Sequence, residues 1–343
     1  MMKPDLKSMG LLALEEYFEG LGEKKYRAGQ VFRWIHKGVY SFDEMSDLPA
    51  ELREKLEREA AICALALKNR RTSRRDGTRK YLFELADGNT IESVLMRYKF
   101  GNSICVSSQA GCRMGCIFCA SGKNGLARDL TPGEMADQVL RVQNDVGVRL
   151  RGVTVMGVGE PFDNYANLSE LIKIINHKQG LNIGMRNITV STCGIIPGIK
   201  AFSKDFPNAN LAVSLHAPGG RMRAELMPAA GQYKYDELIS ACRDYTDTTG
   251  RRITFEYILI DGKNDHVSQA AELAGNLRGM LCHVNLIPVN GITETPRLSY
   301  SGNNGEIFKK KLEEKGIPVT LRRELGGDIG AACGQLRLVK SGS

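Results

Sequence analysis

Long apolar runs are absent from this chain of 343 residues. Residues 1–20 contain no apolar stretch of the length found in signal peptides. Nowhere do about 18 uncharged apolar residues follow one another, which is what a membrane-spanning helix needs. Because both kinds of segment are missing, we expect a cytoplasmic protein.

The chain also lacks internal repeats, low-complexity tracts and domain-length linkers. Aromatic residues make up only 7% of it, beside 42% apolar and 25% charged residues. This balance is typical of a globular protein and excludes a disordered or collagen-like chain. At about 150 residues per domain, the length predicts one large domain or two unequal ones.

A modest surplus of basic residues is present instead. The 47 Lys and Arg residues outnumber the 39 Asp and Glu residues, which gives a net charge of +8. Such a surplus favours a polyanionic partner, namely RNA, DNA or an acidic membrane. Six basic residues between Arg70 and Lys80 accompany the single Asp76. The Asp76-Gly77 turn between two short extended runs predicts a basic hairpin there.

Residues 1–90 are predicted to form a small, mostly helical unit that ends with the basic hairpin. Its apolar residues recur at helical spacing in three segments, Leu11–Leu21, Ala28–His36 and Glu51–Ala60. We expect this unit to be a small, separate accessory domain.

From about residue 100, short apolar runs alternate with helical stretches. The predicted strands are Ser103–Ser107, Val153–Met156, Ile188–Ser191, Leu211–His216, Ile253–Ile260 and His283–Ile287. The predicted helices between them are Pro132–Asp145, Leu168–His177, Ile199–Asp205, Tyr235–Thr248 and Ser268–Leu277. Apolar strands joined by helices of this length predict a parallel sheet with right-handed crossovers.

The predicted fold class is α/β, with a partial barrel of six β/α units over residues 91–300. Six units over about 200 residues suit a partial barrel better than a closed barrel of eight. Residues 301–343 are predicted to be a C-terminal extension with a helix at Asn304–Glu314, a strand at Val319–Arg322 and a glycine-rich loop. Ligands should gather at the carboxyl ends of the parallel strands.

Nine cysteines are unusual in a chain of this class, and their odd number does not suggest a secreted disulfide framework. Cys112, Cys116 and Cys119 have a C-x3-C-x2-C spacing in the loop after the first predicted strand. Thiolates suit iron-sulfur clusters, and three of them would leave the fourth iron of a cubane open. Three structural cysteines, or a zinc site with a distant fourth ligand, are the alternatives.

This cysteine loop, in its β/α context, resembles the radical S-adenosylmethionine (SAM) superfamily. Phe118 and the run Gly157–Pro161 after the second strand also agree with motifs of that superfamily. The resemblance implies a 4Fe-4S cluster held by Cys112, Cys116 and Cys119, with SAM bound at the open iron. Reductive cleavage of SAM would then give a 5′-deoxyadenosyl radical.

Five further motifs are spread over almost the whole chain. They are Cys105–Gln109, Gly159–Asn164, Ser214–Ala217, Val284–Pro288 and Asp328–Leu336. Together they resemble the RNA adenine-C2 methyltransferases, and Tyr26–Gln30 with Trp34 agrees with that family too. The resemblance implies methylation of C2 of an adenosine in 23S ribosomal RNA and, in some members, in transfer RNA.

The mechanism that the resemblance implies uses two SAM molecules per turnover. One methylates the thiolate of Cys333, and the radical from the other removes hydrogen from that methyl group. The resulting radical adds to C2 of adenine, which joins RNA and enzyme covalently. Glu92 then removes the C2 proton, and Cys105 attacks the Cys333 sulfur, so that the RNA leaves as a disulfide forms.

The resemblance also implies a set of SAM contacts whose polar members suit ammonium, carboxylate and ribose groups. They are Gly159, Glu160, Ser191, Ser214, Leu215, His216 and Asn290. The implied partners are 23S ribosomal RNA, transfer RNA and an electron donor such as flavodoxin, with no membrane, and we expect a monomer. The hairpin from Arg70 to Lys80 and the N-terminal helices are the predicted contacts with the RNA backbone.

Three other functions stay open at this point. The first is the sister activity that methylates adenine C8 and confers antibiotic resistance, although Pro161 favours C2. The second is an iron-sulfur RNA-binding protein without turnover, which would need neither Cys105 nor Cys333. The third is a radical enzyme acting on a protein or a small molecule.

Overall fold

The structure is a computed structural model that describes residues 3–290, 298–300 and 302–336. Parts of the predicted barrel and C-terminal units, residues 291–297, 301 and 337–343, lie outside the described residues. Within the described part of the chain, no helix is long and apolar enough to cross a membrane.

Three helices form the N-terminal unit, as the apolar spacing predicted. They are α1 (Leu11–Gly20), α2 (Tyr26–His36) and α3 (Ala50–Glu59). Their buried faces meet in a hydrophobic cluster that includes Leu14, Phe18, Phe32 and Leu56 and that extends from Leu6 to Ala60. This cluster is separate from the hydrophobic core of the barrel.

The predicted basic hairpin is confirmed. Strands β1 (Ala66–Thr72) and β2 (Arg79–Glu84) pair antiparallel, with Thr72 opposite Arg79. Two more antiparallel strands, β3 (Thr90–Tyr98) and β4 (Gly101–Val106), connect the hairpin to the barrel in one sheet. The hairpin is therefore continuous with the barrel sheet, whereas the helical cluster ends near Ala60. The boundary at residue 90 stays a prediction.

In the described part of the chain, the sheet contains ten strands in the order β1-β2-β3-β4-β7-β8-β9-β10-β11-β12. Its remaining strands are β7 (Gly152–Val155), β8 (Ile188–Thr192), β9 (Asn210–Ser214), β10 (Ile253–Leu259), β11 (Cys282–Pro288) and β12 (Val319–Leu321). These six strands and β4 are parallel. All six predicted barrel strands are confirmed within two residues at each end. The strand expected in the C-terminal extension adds a seventh parallel strand, β12.

Two short strands and seven helices complete the described fold. Strands β5 (Gln109–Gly111) and β6 (Leu126–Asp129) form a small sheet around the cysteine loop. The helices are α4 (Pro132–Val146), α5 (Tyr165–Asn176), α6 (Ile196–Asp205), α7 (Gly220–Leu226), α8 (Tyr235–Thr249), α9 (Val267–Leu277) and α10 (Asn303–Glu314). Sequence periodicity predicted six of them within three residues. It missed α7, which begins at Gly220 directly after Gly219 and whose seven residues are too few for a periodic pattern.

The sheet curves into a partial barrel, with one face packed on helices and the other face around cavities. Val153 and Val190 are fully buried in the core between sheet and helices. On the opposite face, Val94 of β3 and Ile287 of β11 line one common cavity although several strands separate them in the sheet. The inner face of the barrel is therefore where a ligand can be enclosed.

A buried ion pair joins the N-terminal unit to the barrel. Lys7 Nζ lies 2.6 Å from Asp137 Oδ1 on α4, and neither side chain is exposed. The Tyr40 hydroxyl and the Leu65 amide also donate to this carboxylate, at 2.9 and 2.8 Å, and Lys7 Nζ donates to the Cys63 carbonyl. The pair thus has the additional hydrogen bonds that a buried pair of charges needs.

Replacing Asp137 with Asn should destabilise this junction. The variant D137N leaves the Lys7 ammonium buried without a counter-charge, which costs about 3–5 kcal/mol. Trp34 is the one tryptophan of the chain and lies in the N-terminal unit, so its fluorescence can follow urea unfolding there. The matched control is E225Q, because the Arg221–Glu225 pair is 95% and 66% exposed and contributes little. Equal urea midpoints for the two variants would contradict this account of the junction.

Candidate active site

The cysteine loop lies between β5 and β6, at the carboxyl end of β4. The two ends of the loop are joined by a hydrogen bond from the Cys112 amide to the Gly125 carbonyl, at 3.0 Å. Gly111 has a φ of +85°, and a Cβ at this position would lie only 2.0 Å from the Gly125 oxygen. Glycine is therefore required where the two strands enter the loop.

Two neighbours hold the cysteine loop in place. The Ile117 amide donates to the Leu226 carbonyl at the end of α7, at 3.1 Å. The Phe118 ring packs edge-on against the His216 ring, with 4.7 Å between the ring centroids. The aromatic residue before the third cysteine thus connects the cysteine loop to the end of β9.

All three cysteines of the loop line one cavity, which we call the first cavity. Burial raises the pKa of the Cys112 thiol to about 12, so a bound metal would displace its proton. Each thiolate of an iron-sulfur cluster binds its own iron, so the three need not converge on one point. Among the described residues, no group of three or more Cys, His, Asp or Glu side chains converges on a single ion. Three soft thiol donors on one cavity nevertheless have the chemistry that suits an iron-sulfur cluster.

Five of the predicted SAM contacts line the same cavity. They are Gly159, Glu160, Ser191, Ser214 and His216. They follow or end β7, β8 and β9, because parallel strands bring their carboxyl ends to one end of a barrel. Three strand ends therefore bring these five residues to one concave site.

Glu160 connects two of these strand ends. Its two carboxylate oxygens accept hydrogen bonds from the amides of Phe162, at 3.0 Å, and Cys193, at 2.7 Å. Burial raises its pKa, and these hydrogen bonds counteract the rise. The carboxylate is thus fixed at the wall of the first cavity. Cys193, to which the sequence assigned no role, is buried beside Met114 of the cysteine loop.

His216 is fixed in a left-handed backbone conformation, with a φ of +59°. Its Nδ1 accepts a hydrogen bond from the Ile258 amide at 3.0 Å, and burial lowers its pKa to about 3. The ring is therefore neutral near pH 7. Leu215 differs from its neighbours because its side chain is fully buried in the hydrophobic core. A contact from Leu215 to a ligand would come from its backbone.

A second cavity, of about 900 Å³, adjoins the first and contains the other two predicted reactive thiols. Cys105 of β4 and Cys333 of the C-terminal loop both line it, together with Asn290. Asn290, predicted as a SAM contact, is thus placed beside Cys333, and its Nδ2 lies 3.5 Å from the Cys333 carbonyl oxygen. Cys333 also lines the first cavity. One thiol therefore borders both cavities.

The C-terminal loop, Gly326–Leu336, is anchored on two sides. Towards the cysteine loop, the Ala120 amide donates to the Gly334 carbonyl at 2.8 Å. Towards the basic hairpin, the Gly326 amide donates to Asp76 at 2.9 Å, and Lys80 Nζ donates to the Gly330 carbonyl at 2.8 Å. These contacts fix the loop that carries Cys333.

Glu92 is linked to this loop through Lys80, and on β3 it lies two residues from Val94, which pairs with Cys105 of β4. Its carboxylate pairs with Lys80 Nζ at 2.7 Å, and the residue is 5% exposed. Among the described residues that line the two cavities, Glu92 is not included, whereas Val94, two residues further along β3, lines the second cavity. The structure thus brings Cys105 and Cys333 together and leaves Glu92 at the edge of the site.

Sequence reasoning missed three charged residues in this region. Glu256 of β10 lines the first cavity and accepts a hydrogen bond from Asn285 at 2.8 Å. Arg322 lines both cavities, and buried Arg223 donates to the Ser214 carbonyl at 3.4 Å. An acid inside an apolar strand was a usable signal for Glu256. Arg322 follows a strand end and could also have been noticed, whereas α7, which carries Arg223, was not predicted.

Comparisons with known proteins agree with this geometry. Residues 4–62 match the family model of the ribosomal RNA large subunit methyltransferase N-terminal domain, and residues 106–274 match that of the radical SAM superfamily. The probable dual-specificity RNA methyltransferase RlmN of Lachnospira eligens is 50% identical over 97% of this chain and 95% of its own length. The protein of the same name from Bacillus pumilus is 50% identical over 97% of this chain and 94% of its own length.

A solved structure is similar over nearly the whole chain. The crystal structure of a radical SAM methyltransferase from Sphaerobacter thermophilus has a TM-score of 0.92 and 44% sequence identity to this chain. The match covers 97% of this chain and 99% of the other. The partial barrel and the accessory helices are thus a known arrangement.

A parallel partial barrel with a three-cysteine loop at its strand ends defines a radical SAM enzyme. The chain belongs to the family of dual-specificity RNA methyltransferases called RlmN. It is therefore a SAM-dependent radical methyltransferase with RNA as its substrate class, and the family implies a 4Fe-4S cluster and SAM as cofactors. The predicted fold class and family are confirmed.

Replacing any cysteine of the loop should abolish cluster binding. The variants C112A, C116A and C119A each remove one thiolate, so anaerobic reconstitution should leave them with little iron and little visible cluster absorbance. The matched control is C105A, which changes a thiol of the neighbouring cavity. It should keep the iron content of the unchanged protein. Full iron loading in any of the three loop variants would show that the corresponding thiol is not a ligand.

Proposed function

We propose that this enzyme methylates C2 of an adenosine in 23S ribosomal RNA and in transfer RNA, with Cys333 as the methyl carrier. The observation that carries the proposal is the position of Cys333, which borders both the cysteine-loop cavity and the cavity of Cys105. The family model for large-subunit ribosomal RNA methyltransferases and the dual-specificity names of the relatives support both RNA classes.

Adenine C2 requires an unusual route. It is an electron-poor carbon between two ring nitrogens, so it does not attack a methyl sulfonium as an amine would. A radical that adds to C2 removes this difficulty, and a protein-bound one-carbon unit can supply that radical. A carrier thiol with access to both a methyl donor and the base is therefore needed.

The first cavity is the proposed cofactor site. Cys112, Cys116 and Cys119 would hold the cluster, and Glu160 would face the SAM ammonium, with Ser191 among the hydroxyl contacts. When bound, the cluster supplies an electron and two SAM molecules supply the methyl group and the hydrogen-abstracting radical. His216 would be neutral, so it would form part of the cavity wall and would not place a charge beside the cofactor.

Cys333 accepts the methyl group and later presents it to the base. Its loop combines Gly330, with a φ of +65°, and Gly334, with a φ of +82°. A Cβ on Gly334 would lie 2.9 Å from the Phe118 carbonyl oxygen. Glycine thus allows the C-terminal loop, Gly326–Leu336, to lie directly against the cysteine loop. Because it carries Cys333, we call it the carrier loop below.

Cys105 is the proposed resolving thiol. Before this step the adduct would return its unpaired electron to the cluster and lose the C2 proton. Cys105 then attacks the Cys333 sulfur as a thiolate: the S–S bond forms, the C–S bond to the modified base breaks, and the electron pair left on the methylene carbon takes a proton, which completes the methyl group. Burial and the nearby Cys333 raise the pKa of Cys105 to about 12, so it is protonated until the release step. This keeps it from competing with Cys333 for the methyl group.

Glu92 is the proposed base for the C2 proton. Residues two apart on a strand share a face, so Glu92 and the cavity-lining Val94 point to the same side of β3. Lys80 holds the carboxylate in place through its ion pair. The same lysine contacts the carrier loop at Gly330, so the base and the carrier loop are linked through one side chain.

The basic hairpin is the proposed contact with the RNA backbone. Arg70 and Arg79 pair with Asp145, whereas Arg71, Arg74 and Arg75 near the hairpin tip are exposed. Exposed cations of this kind bind phosphates. Because the reactive thiols lie inside the barrel, the target adenosine must leave its stack or come from a loop. We further propose that the enzyme acts as a monomer and receives electrons from a flavodoxin-type donor.

The product nucleoside distinguishes this proposal from its closest rival. The C2 and C8 activities share the cluster and both reactive thiols, so variants of these cysteines do not separate them. Mass and NMR analysis of the methylated adenosine separates the two activities. A product of 8-methyladenosine would overturn the assignment of C2. Product formation without RNA would favour a protein or small-molecule substrate.

Replacing Cys105 with Ala should trap the RNA on the enzyme. In C105A the radical can still add to the base, but no thiol releases it, so a covalent complex should accumulate on denaturing gels. The matched variant C333A lacks the carrier and should give neither complex nor product. Normal turnover by either variant would contradict the proposed roles of these thiols.

A further inference from the structure

Arg322 occupies the boundary between the two cavities. It follows β12, and its amide donates to the Leu286 carbonyl at 2.8 Å, which fixes its backbone against β11. Its Nη1 lies 3.2 Å from the Sγ of Cys333, within the distance of a hydrogen bond to sulfur. The side chain lines both cavities, as Cys333 does.

Other titratable groups face Arg322 from the surrounding strands. Tyr98 comes from β3, Cys105 from β4 and Glu256 from β10. Cys333 and Glu256 raise the pKa of Arg322 above its ordinary value, against the effect of burial. The guanidinium is therefore a fixed positive charge beside the carrier sulfur.

The chemistry of methyl transfer requires such a charge. A thiol is a poor nucleophile, whereas a thiolate attacks a methyl sulfonium by direct displacement. The new S–CH3 bond forms as the sulfonium S–CH3 bond breaks, and the bonding electrons stay on the departing thioether. The thiol proton leaves to solvent beforehand, since Cys333 is only partly buried. A guanidinium that donates to the sulfur stabilises the anion in this step.

We propose that Arg322 is a further catalytic residue, which donates to the sulfur of Cys333 at the boundary between the two cavities and stabilises the negative charge on that sulfur during methyl transfer. This inference rests on the proposed role of Cys333 as the methyl carrier. Lysine can replace the charge of Arg322 but not its planar pair of donors. R322K should therefore keep part of the reactivity of Cys333 that R322Q loses.

The rate of alkylation of Cys333 measures how nucleophilic its sulfur is, without any methylation. The cluster-loaded enzyme is treated anaerobically with iodoacetamide under thiol-reducing conditions, and the modified Cys333 peptide is quantified by mass spectrometry. Loss of a hydrogen bond from a charged donor to the sulfur corresponds to a change in rate of about tenfold or more. R322Q should therefore slow the alkylation of Cys333 about tenfold. R322K should lie between R322Q and the unchanged enzyme.

R323Q is the matched control, because Arg323 is the next residue and is exposed. It removes the same charge at a position more accessible to solvent and should change the alkylation rate less than about twofold, because exposed charges are screened. Equal rates in R322Q and R323Q would overturn the inference. Iron content and cluster absorbance, measured on each variant, identify any that has lost its fold.

A second measurement needs no variant. The anionic reagent iodoacetate should react faster at Cys333, relative to iodoacetamide, than it does at the thiol of free glutathione, because the guanidinium attracts the anion. Equal rate ratios at Cys333 and glutathione would also overturn the inference. If Arg322 affects alkylation but the unchanged enzyme never forms S-methylcysteine at Cys333 with SAM, the proposed function fails while the contact stands.

Discussion

Seven strands of the barrel run in one direction, and this constraint places the groups of the candidate site. Parallel strands bring their carboxyl ends to the same end of a sheet, where the helix dipoles and open backbone groups can meet a ligand. The cysteine loop, Glu160, Ser214 and Arg322 follow or end four different strands and still border one cavity. A single topological rule therefore collects the proposed cluster ligands, several polar groups and a cation.

The constraint does not by itself explain Cys333, which follows the last strand by more than ten residues. Its position depends on the anchoring of the carrier loop between the cysteine loop and the basic hairpin. The hairpin thus contacts the carrier loop and also presents exposed cations. Asp76 and Lys80 contact the carrier loop, while Arg71 and Arg74 are exposed. The surface proposed to bind RNA is consequently in direct contact with the segment proposed to methylate it.

The sequence predicted much of the barrel because buried parallel strands give short apolar runs between turn residues, a pattern that few other structures produce. The cysteine spacing and separated motifs also led to the right family. The sequence could not predict side-chain contacts between residues far apart in the chain. The pairs Lys80–Glu92 and Arg322–Cys333 are examples. Helix α7 was not predicted because seven residues show too little periodicity. Strand β12 was predicted as a strand but not as part of the barrel, because strand order depends on pairing between distant segments.

The most direct measurement follows the methyl group through Cys333. The enzyme is first methylated on Cys333 with methyl-deuterated SAM, purified, and then given unlabelled SAM, reductant and unmethylated RNA for a single turnover. The account predicts 2-methyladenosine that contains two deuterium atoms and 5′-deoxyadenosine that contains one. An unlabelled methyl group in the RNA would contradict it, because the carbon would then have reached the base without passing through Cys333.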